Sequence, residues 1–189
     1  MTVEMRLVCD RLAELLRQFA ADRHAVSALE FALILPIMLT LYFGTVEVGT
    51  ALTINRKVTH VTSSLADLVT QSKVISNTDM TNIFDAAESI IVPYNVNTLK
   101  ITVSGITINA AGVAKVTWSD TRHGTALTVN STVTDLPAGV KQASTFIVTA
   151  KVSYDFAPTI GYVLTGTFTL NDQFYLRPRA SSTVCRVTC

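Results

Sequence analysis

The chain has 189 residues, which suffices for one membrane anchor and one domain with a modest core. Its formal net charge of +1 excludes the basic footprint of a nucleic-acid binder. Apolar residues make up 49% and charged residues only 15%, a balance poor in charge for a soluble protein and suited to a chain partly in lipid.

Residues 4–20 can form an amphipathic helix. Leu7, Leu12, Leu15, Leu16 and Phe19 recur at helical spacing, with Arg6, Arg11, Glu14 and Arg17 among them. The acidic and basic residues balance, so we read residues 1–25 as a cytoplasmic leader lying on the membrane and not as a strong binder of anionic lipid. An apolar run follows, with no charge between Glu30 and Glu47. Continued past Glu47 through Val48, Ala51, Leu52 and Ile54, it exceeds the roughly 20 residues needed to cross ~30 Å of hydrocarbon. The spacing predicts a transmembrane helix over 26–54, kinked at Pro36 and closed by Arg56 and Lys57, which can snorkel to the interface. A cleaved secretory signal is the main rival, but its basic region should be much shorter than the stretch that precedes this run. Basic residues are nearly balanced across the span, so charge specifies orientation poorly. The size and strand content of the C-terminal part favour its export.

Helical spacing continues through Ile54, Val58, Val61, Leu65, Leu68 and Val69, so one helix can run from Ala28 to Ser72. Ser76-Asn77-Thr78-Asp79 reads as a turn and N-cap, and the helix through Ile83, Phe84, Ala87, Ile90 and Ile91 stops before Pro93. Residues 55–93 therefore form a helical stalk and a second helix. From Asn95 the period changes to two. Leu99, Ile101 and Val103 alternate with Lys100, Thr102 and Ser104, and Gly105 marks a bulge or bend. Val113–Ser119 completes a hairpin with Ala114, Val116 and Trp118 on one face. Asp120–Gly139 reads mainly as loop, Phe146–Phe156 as the clearest strand, and Phe168–Leu176 and Ala180–Val187 as closing strands. These place an antiparallel sheet domain at 94–189.

The three cysteines are Cys9, Cys185 and Cys189. A span between them puts Cys9 in one compartment and the other two in another. Outside the cytoplasm Cys185 and Cys189 form an oxidised pair or remain two free thiols on the tail, and the spacing leaves both readings open.

The run Val26-Ser27-Ala28-Leu29-Glu30-Phe31-Ala32-Leu33-Ile34-Leu35-Pro36 resembles the N-terminal motif of the TadE/TadG-like family almost residue for residue. That family comprises membrane-anchored, pilin-like components of the tight-adherence (Flp-type) pilus and secretion system. Glu47 is similar to an acidic position at the end of the family's apolar helix, and Tyr175-Leu176-Arg177-Pro178-Arg179 is similar to a second family feature. The resemblance implies an α+β fold: a long N-terminal transmembrane helix continuing into a small antiparallel β-sheet head, as in a pilin-like subunit. It implies a bacterial inner-membrane protein, single-pass, with a periplasmic C-terminal domain that either enters the extracellular pilus or stays behind. Its partners would be other pilin-like subunits and the assembly machinery, with the membrane as its setting.

The resemblance also gives Glu30 a role. In type IV-like pilins the fifth residue of the mature chain is a Glu that neutralises the N-terminal amine of a neighbouring subunit. Counting back, the mature chain would begin at Val26 after a cut behind Ala25. A Gly usually precedes that cut; here Ala25 takes its place. Without the cut, Glu30 needs another partner or stays protonated in lipid. A residue at the headgroup boundary is the plainer reading of Glu30. Glu47 reads as facing water or pairing with Arg56 or Lys57. Arg177 and Arg179 read either as contacts to the helix or a neighbouring subunit, or as solvated charges on an edge strand protected by Pro178.

Catalytic constellations are missing from the sequence. His24, His60 and His123 have no partner at metal-ligand spacing, and no phosphate loop or nucleophile elbow appears. We expect no enzyme, no cofactor, no metal and no small-molecule substrate. The alternative to an assembly role is a membrane-tethered extracytoplasmic binding or adhesion module that uses loops such as Asp120–Gly139 for recognition.

Overall fold

The computed structural model describes residues 11, 13, 14, 23–158, 161 and 165–187. Most of the leader helix expected at 4–20 lies outside these, as do Cys9 and Cys189. Helix α1 spans Arg23–Thr70, 48 residues in one piece. At 1.5 Å per residue it is roughly 70 Å long, about twice what a bilayer core requires. It begins earlier and ends slightly earlier than the spacing predicts. Pro36 lies within it and removes one backbone donor. One turn later the Thr40 hydroxyl donates to the Pro36 carbonyl at 2.8 Å.

The two halves of α1 meet different surroundings. Val26–Thr70 is long and apolar enough to cross a membrane. In its first half Phe31, Leu33 and Tyr42 are all more than half exposed, as lipid-facing side chains are in an isolated chain. In its second half Ile54, Val58, Val61, Leu65 and Val69 recur every three or four residues and are fully buried. They form the spine of the head's core.

Strand β1 (Val74–Ile75) and helix α2 (Asn77–Ile91) follow. Ser76 caps α2 with a complete capping box. Its hydroxyl accepts from the Asp79 N–H at 3.1 Å, and the Asp79 carboxylate accepts from the Ser76 N–H at 3.0 Å. Met80, Phe84, Ala87 and Ile91 form the buried stripe of α2. Its other end is closed by α1. The Lys57 ammonium donates to the carbonyls of Ile90 and Val92 at 2.7 and 2.8 Å and lies 5.9 Å from the Tyr94 ring centre. The Lys57 ammonium, expected to snorkel to the interface, is thus engaged by the end of α2. The last carbonyls of α2 lack helical partners, and a cation satisfies two acceptors there.

After a short 3₁₀ turn at Val96–Thr98 come β2 (Leu99–Ile108), β3 (Ala114–Arg122), β4 (Thr145–Phe156) and β5 (Phe168–Leu176). They form one antiparallel sheet in the order β3-β2-β4-β5. The expected α+β architecture, a long apolar helix followed by a small antiparallel sheet, is the one observed. One face of the sheet packs Leu99, Ile101, Val103, Val148, Ala150 and Val152 against α1 and α2. The β2–β3 register shifts between Gly105 and Ile106, at the expected bulge. A Cβ at Gly105 would lie 2.4 Å from the Trp118 indole nitrogen and 2.6 Å from the Phe146 ring, so only glycine fits. A smaller cluster of Ile106, Ile108, Ala114 and Ile147 gathers Val133, Leu136 and Val140 from the long β3–β4 connection.

Two sequence expectations change. The hairpin strand at Val113–Ser119 extends to Arg122. The closing strand expected at Ala180–Val187 is instead a strap ending in β6 (Cys185–Arg186), which pairs in parallel with β1, away from the main sheet. Long-range polar contacts draw it there. The Arg179 N–H donates to the Thr70 carbonyl at 2.9 Å, and the Trp118 indole donates to the Val184 carbonyl at 2.7 Å.

Candidate assembly and anchoring site

Glu30 stands on α1 between Leu29 and Phe31, which are 62% and 65% exposed. It is itself exposed, and among the described residues no cation lies within ion-pair distance. A carboxylate placed there is accessible to a group brought by another molecule. The Ala25–Val26 bond lies within α1, and the Ala25 side chain is outside the described set.

Glu47 is 4% exposed and has a partner, so of the two readings the sequence offered, facing water or pairing with Arg56 or Lys57, the first does not hold. The reason is its phase on the helix. Positions 47, 51, 54 and 58 follow the three-to-four spacing of the stripe that turns towards the head. The same stripe includes half-buried Phe43, Gly44 and Ala51. Glu47 therefore lies on the continuation of the head's core, not on the lipid-facing side.

The two arginines of the second motif sit at the head's far end. Arg179 reaches back to α1, where its guanidinium lies 2.8 Å from the Asp67 carboxylate. The Arg177 guanidinium donates to the side-chain carbonyl of Gln142. Arg179 remains 64% exposed at its side chain, so the contact leaves most of it accessible. Cys185, on β6, is disulfide-bonded.

Several structural residues gave no local signal in the sequence. Arg186 clamps Asp120 through two bonds of 2.7 and 2.9 Å and donates to the Ile75 carbonyl at 3.0 Å. Its hydrogen bond to Asp120 raises its pKa. Arg122 pairs with Asp85 and Glu88 of α2 and covers the Phe84 ring. His123, read as a loop residue, adopts a left-handed φ of 56° and places Nδ1 3.2 Å from the Leu99 carbonyl. Each pair joins residues more than thirty positions apart or a backbone turn that only the fold defines.

On the sheet face opposite the helices, a groove of about 300 Å³ is lined by Lys100, Thr102, Ser104, Thr125, Lys151 and Gln173. A hydroxyl pair floors this face, Ser104 with Ser119 at 2.8 Å. Among the described residues no three His, Cys, Asp or Glu side chains gather to hold a metal ion.

No curated protein and no solved structure matches the chain. Residues 25–67 match the family model described as TadE-like protein. The matched segment takes in the motif at 26–36, the apolar half of α1 and most of its head-buried half, and over that length the chain is similar to that family.

Proposed function

We propose that this chain is a membrane-anchored assembly factor or minor pilin of a tight-adherence pilus, with its head on the outer side of a bacterial inner membrane. The observation that carries the reading is the coincidence of the TadE-like match at 25–67 with one continuous helix, apolar and exposed below, buried in a head above. In the proposed division, residues 1–25 are the leader, 26–54 the span, 55–93 the stalk with α2, and 94–189 the sheet domain. The disulfide at Cys185 supports placing the head in an oxidising compartment. Glu30 is the residue proposed to meet a neighbouring subunit, and the exposed side of Arg179 is the proposed contact at the far end. Deleting the gene and counting surface pili tests the role. Loss of pili, restored by the native chain and not by Glu30→Ala, supports it; unchanged piliation overturns it. The mass of the chain recovered from membranes decides processing: a start at Val26 marks cleavage behind Ala25, and a start at Met1 marks a retained factor.

The polar groove favours a second reading, a tethered binding module. In that case Glu30→Ala leaves function intact, while substitutions of Lys151 and Gln173 abolish it.

A further inference from the structure

The position of the head along α1 has a consequence for how it meets the membrane. Counting about 20 residues of hydrocarbon from Glu30 reaches about Thr50, and a headgroup layer of roughly 6 Å adds about four more. Lys57 follows directly, and its ammonium holds the Ile90 and Val92 carbonyls. The end of α2 and the connection into β2 are therefore at headgroup level. The sheet places a second segment at the same end. Leu99 opens β2 opposite Tyr154, and β4 and β5 finish their pairing there with Phe156 opposite Phe168.

The described chain segments at this end carry no charge of their own: none occurs from Val92 to Thr98, in 156–158, at Gly161 or in 165–171. Val92 is 57% exposed and Phe168 is 41% exposed. Lys100 and Asp155, one residue further along β2 and β4 from the Leu99–Tyr154 and Phe156–Phe168 pairs, are paired with each other at 2.6 Å. Tyr94 packs partly buried against the core beside Lys57, with the amphipathic ring that suits a membrane–water boundary. Val48 and Leu52, lower on α1, are exposed as well.

From their level along α1 and their exposure we infer that the base of the head is a second lipid contact, in which Val92 and Phe168 enter the headgroup–acyl boundary of the bilayer that α1 crosses. The occupant is the bilayer itself, engaged at Val92 and Phe168 through apolar contact. The head is fixed on α1 by their shared core, so the contact would set the tilt and rotation of the whole molecule in the bilayer, which a single span leaves free.

The inference rests on α1 spanning the membrane, and its test separates the two. The full chain is reconstituted in phosphatidylcholine vesicles with bromine atoms along the acyl chain, at upper and at lower positions, and four variants are compared: Val92→Trp, Phe168→Trp, Leu41→Trp and Val113→Trp. Leu41 is in the span, and Val113 is exposed at the opposite end of the sheet. Native Trp118 is common to all and sets the background. Quenching above background at 92 and 168, but not at 113, is the expected result. Quenching at 41 with 92 and 168 no different from 113 overturns the lipid contact and leaves the span standing. No quenching at 41 overturns the span and the inference with it.

Discussion

Arg186 joins three elements through one side chain: its own strap, the Asp120 carboxylate on β3 and the Ile75 carbonyl on β1. The pair is mostly shielded, with side chains 16% and 25% exposed. Arg186→Lys keeps the charge and loses the planar fork, which at a two-bonded, shielded site costs about 2 kcal/mol. Urea unfolding followed by Trp118 fluorescence reads this directly, because Trp118 itself bonds the strap at Val184. A variant as stable as the native chain would mean that the clamp contributes nothing net. Asp79 and Asp155 make a pH statement. The Ser76 hydroxyl and backbone hold the Asp79 carboxyl below its usual range, and Lys100 with Thr169 does the same for Asp155. Both folded-state pKa values are depressed, so each group contributes stability that is present above the unfolded value of about 4 and lost as pH falls through the folded value. The urea midpoint is therefore expected to hold from neutral pH to about 5 and to decline below 4. Ser76→Ala should make the decline shallower, because it removes the hydroxyl bond, the larger cause of Asp79's lowered folded pKa, and keeps the backbone one.

Among the elements, those with a strong period were legible in the sequence. The apolar stripe through Ile54, Val58, Val61 and Leu65 marks one face of α1, and the alternation in β2 and β4 marks the buried side of the sheet. Even the bulge was visible, because a glycine interrupts an alternating run. What local pattern could not supply is the destination of long side chains. Lys57 looks like an interfacial lysine from its neighbours alone, and only the return of α2 brings carbonyls to it. Glu47 reads as solvated or ion-paired until the stripe of the head is extended down the helix by one more turn. The strap at 177–187 shows β-propensity, yet its partner is β1, a strand too short to be read from pattern. Lys57→Met tests the link between α1 and α2. It keeps the apolar stem and removes the donor to two carbonyls, at a cost of about 1–3 kcal/mol. Hydrogen exchange should then rise in the last turn of α2 and in the Tyr94 connection while the β2–β4 core stays protected. Unchanged exchange at Ile90–Tyr94 would show that water replaces the ammonium without loss.

For the molecule as a whole, the disulfide and the span constrain each other. Cys185 is bonded, and the chain's other cysteines are Cys9 and Cys189. Cys9 precedes the apolar half of α1 and Cys189 follows the head, so a single-pass chain with its head exported cannot join Cys9 to Cys185 across the bilayer. The proposed pair is therefore Cys185 with Cys189. The two pairings differ in energy as well as in topology. Closing a ring of about five residues restricts the unfolded chain by about 2 kcal/mol, whereas a ring of about 177 residues through α1 would restrict it by about 5 kcal/mol. Cys189→Ser is expected to lower stability by the smaller amount, and Cys9→Ser to leave it unchanged, in unfolding experiments on oxidised protein. Non-reducing peptide maps should lose the cross-linked C-terminal peptide only in Cys189→Ser. If instead Cys9→Ser abolishes the cross-link and costs the larger amount, Cys9 and the head share a compartment. The leader could not then be cytoplasmic, and the single-pass arrangement on which Glu30 and the base of the head have been placed would fall together with it.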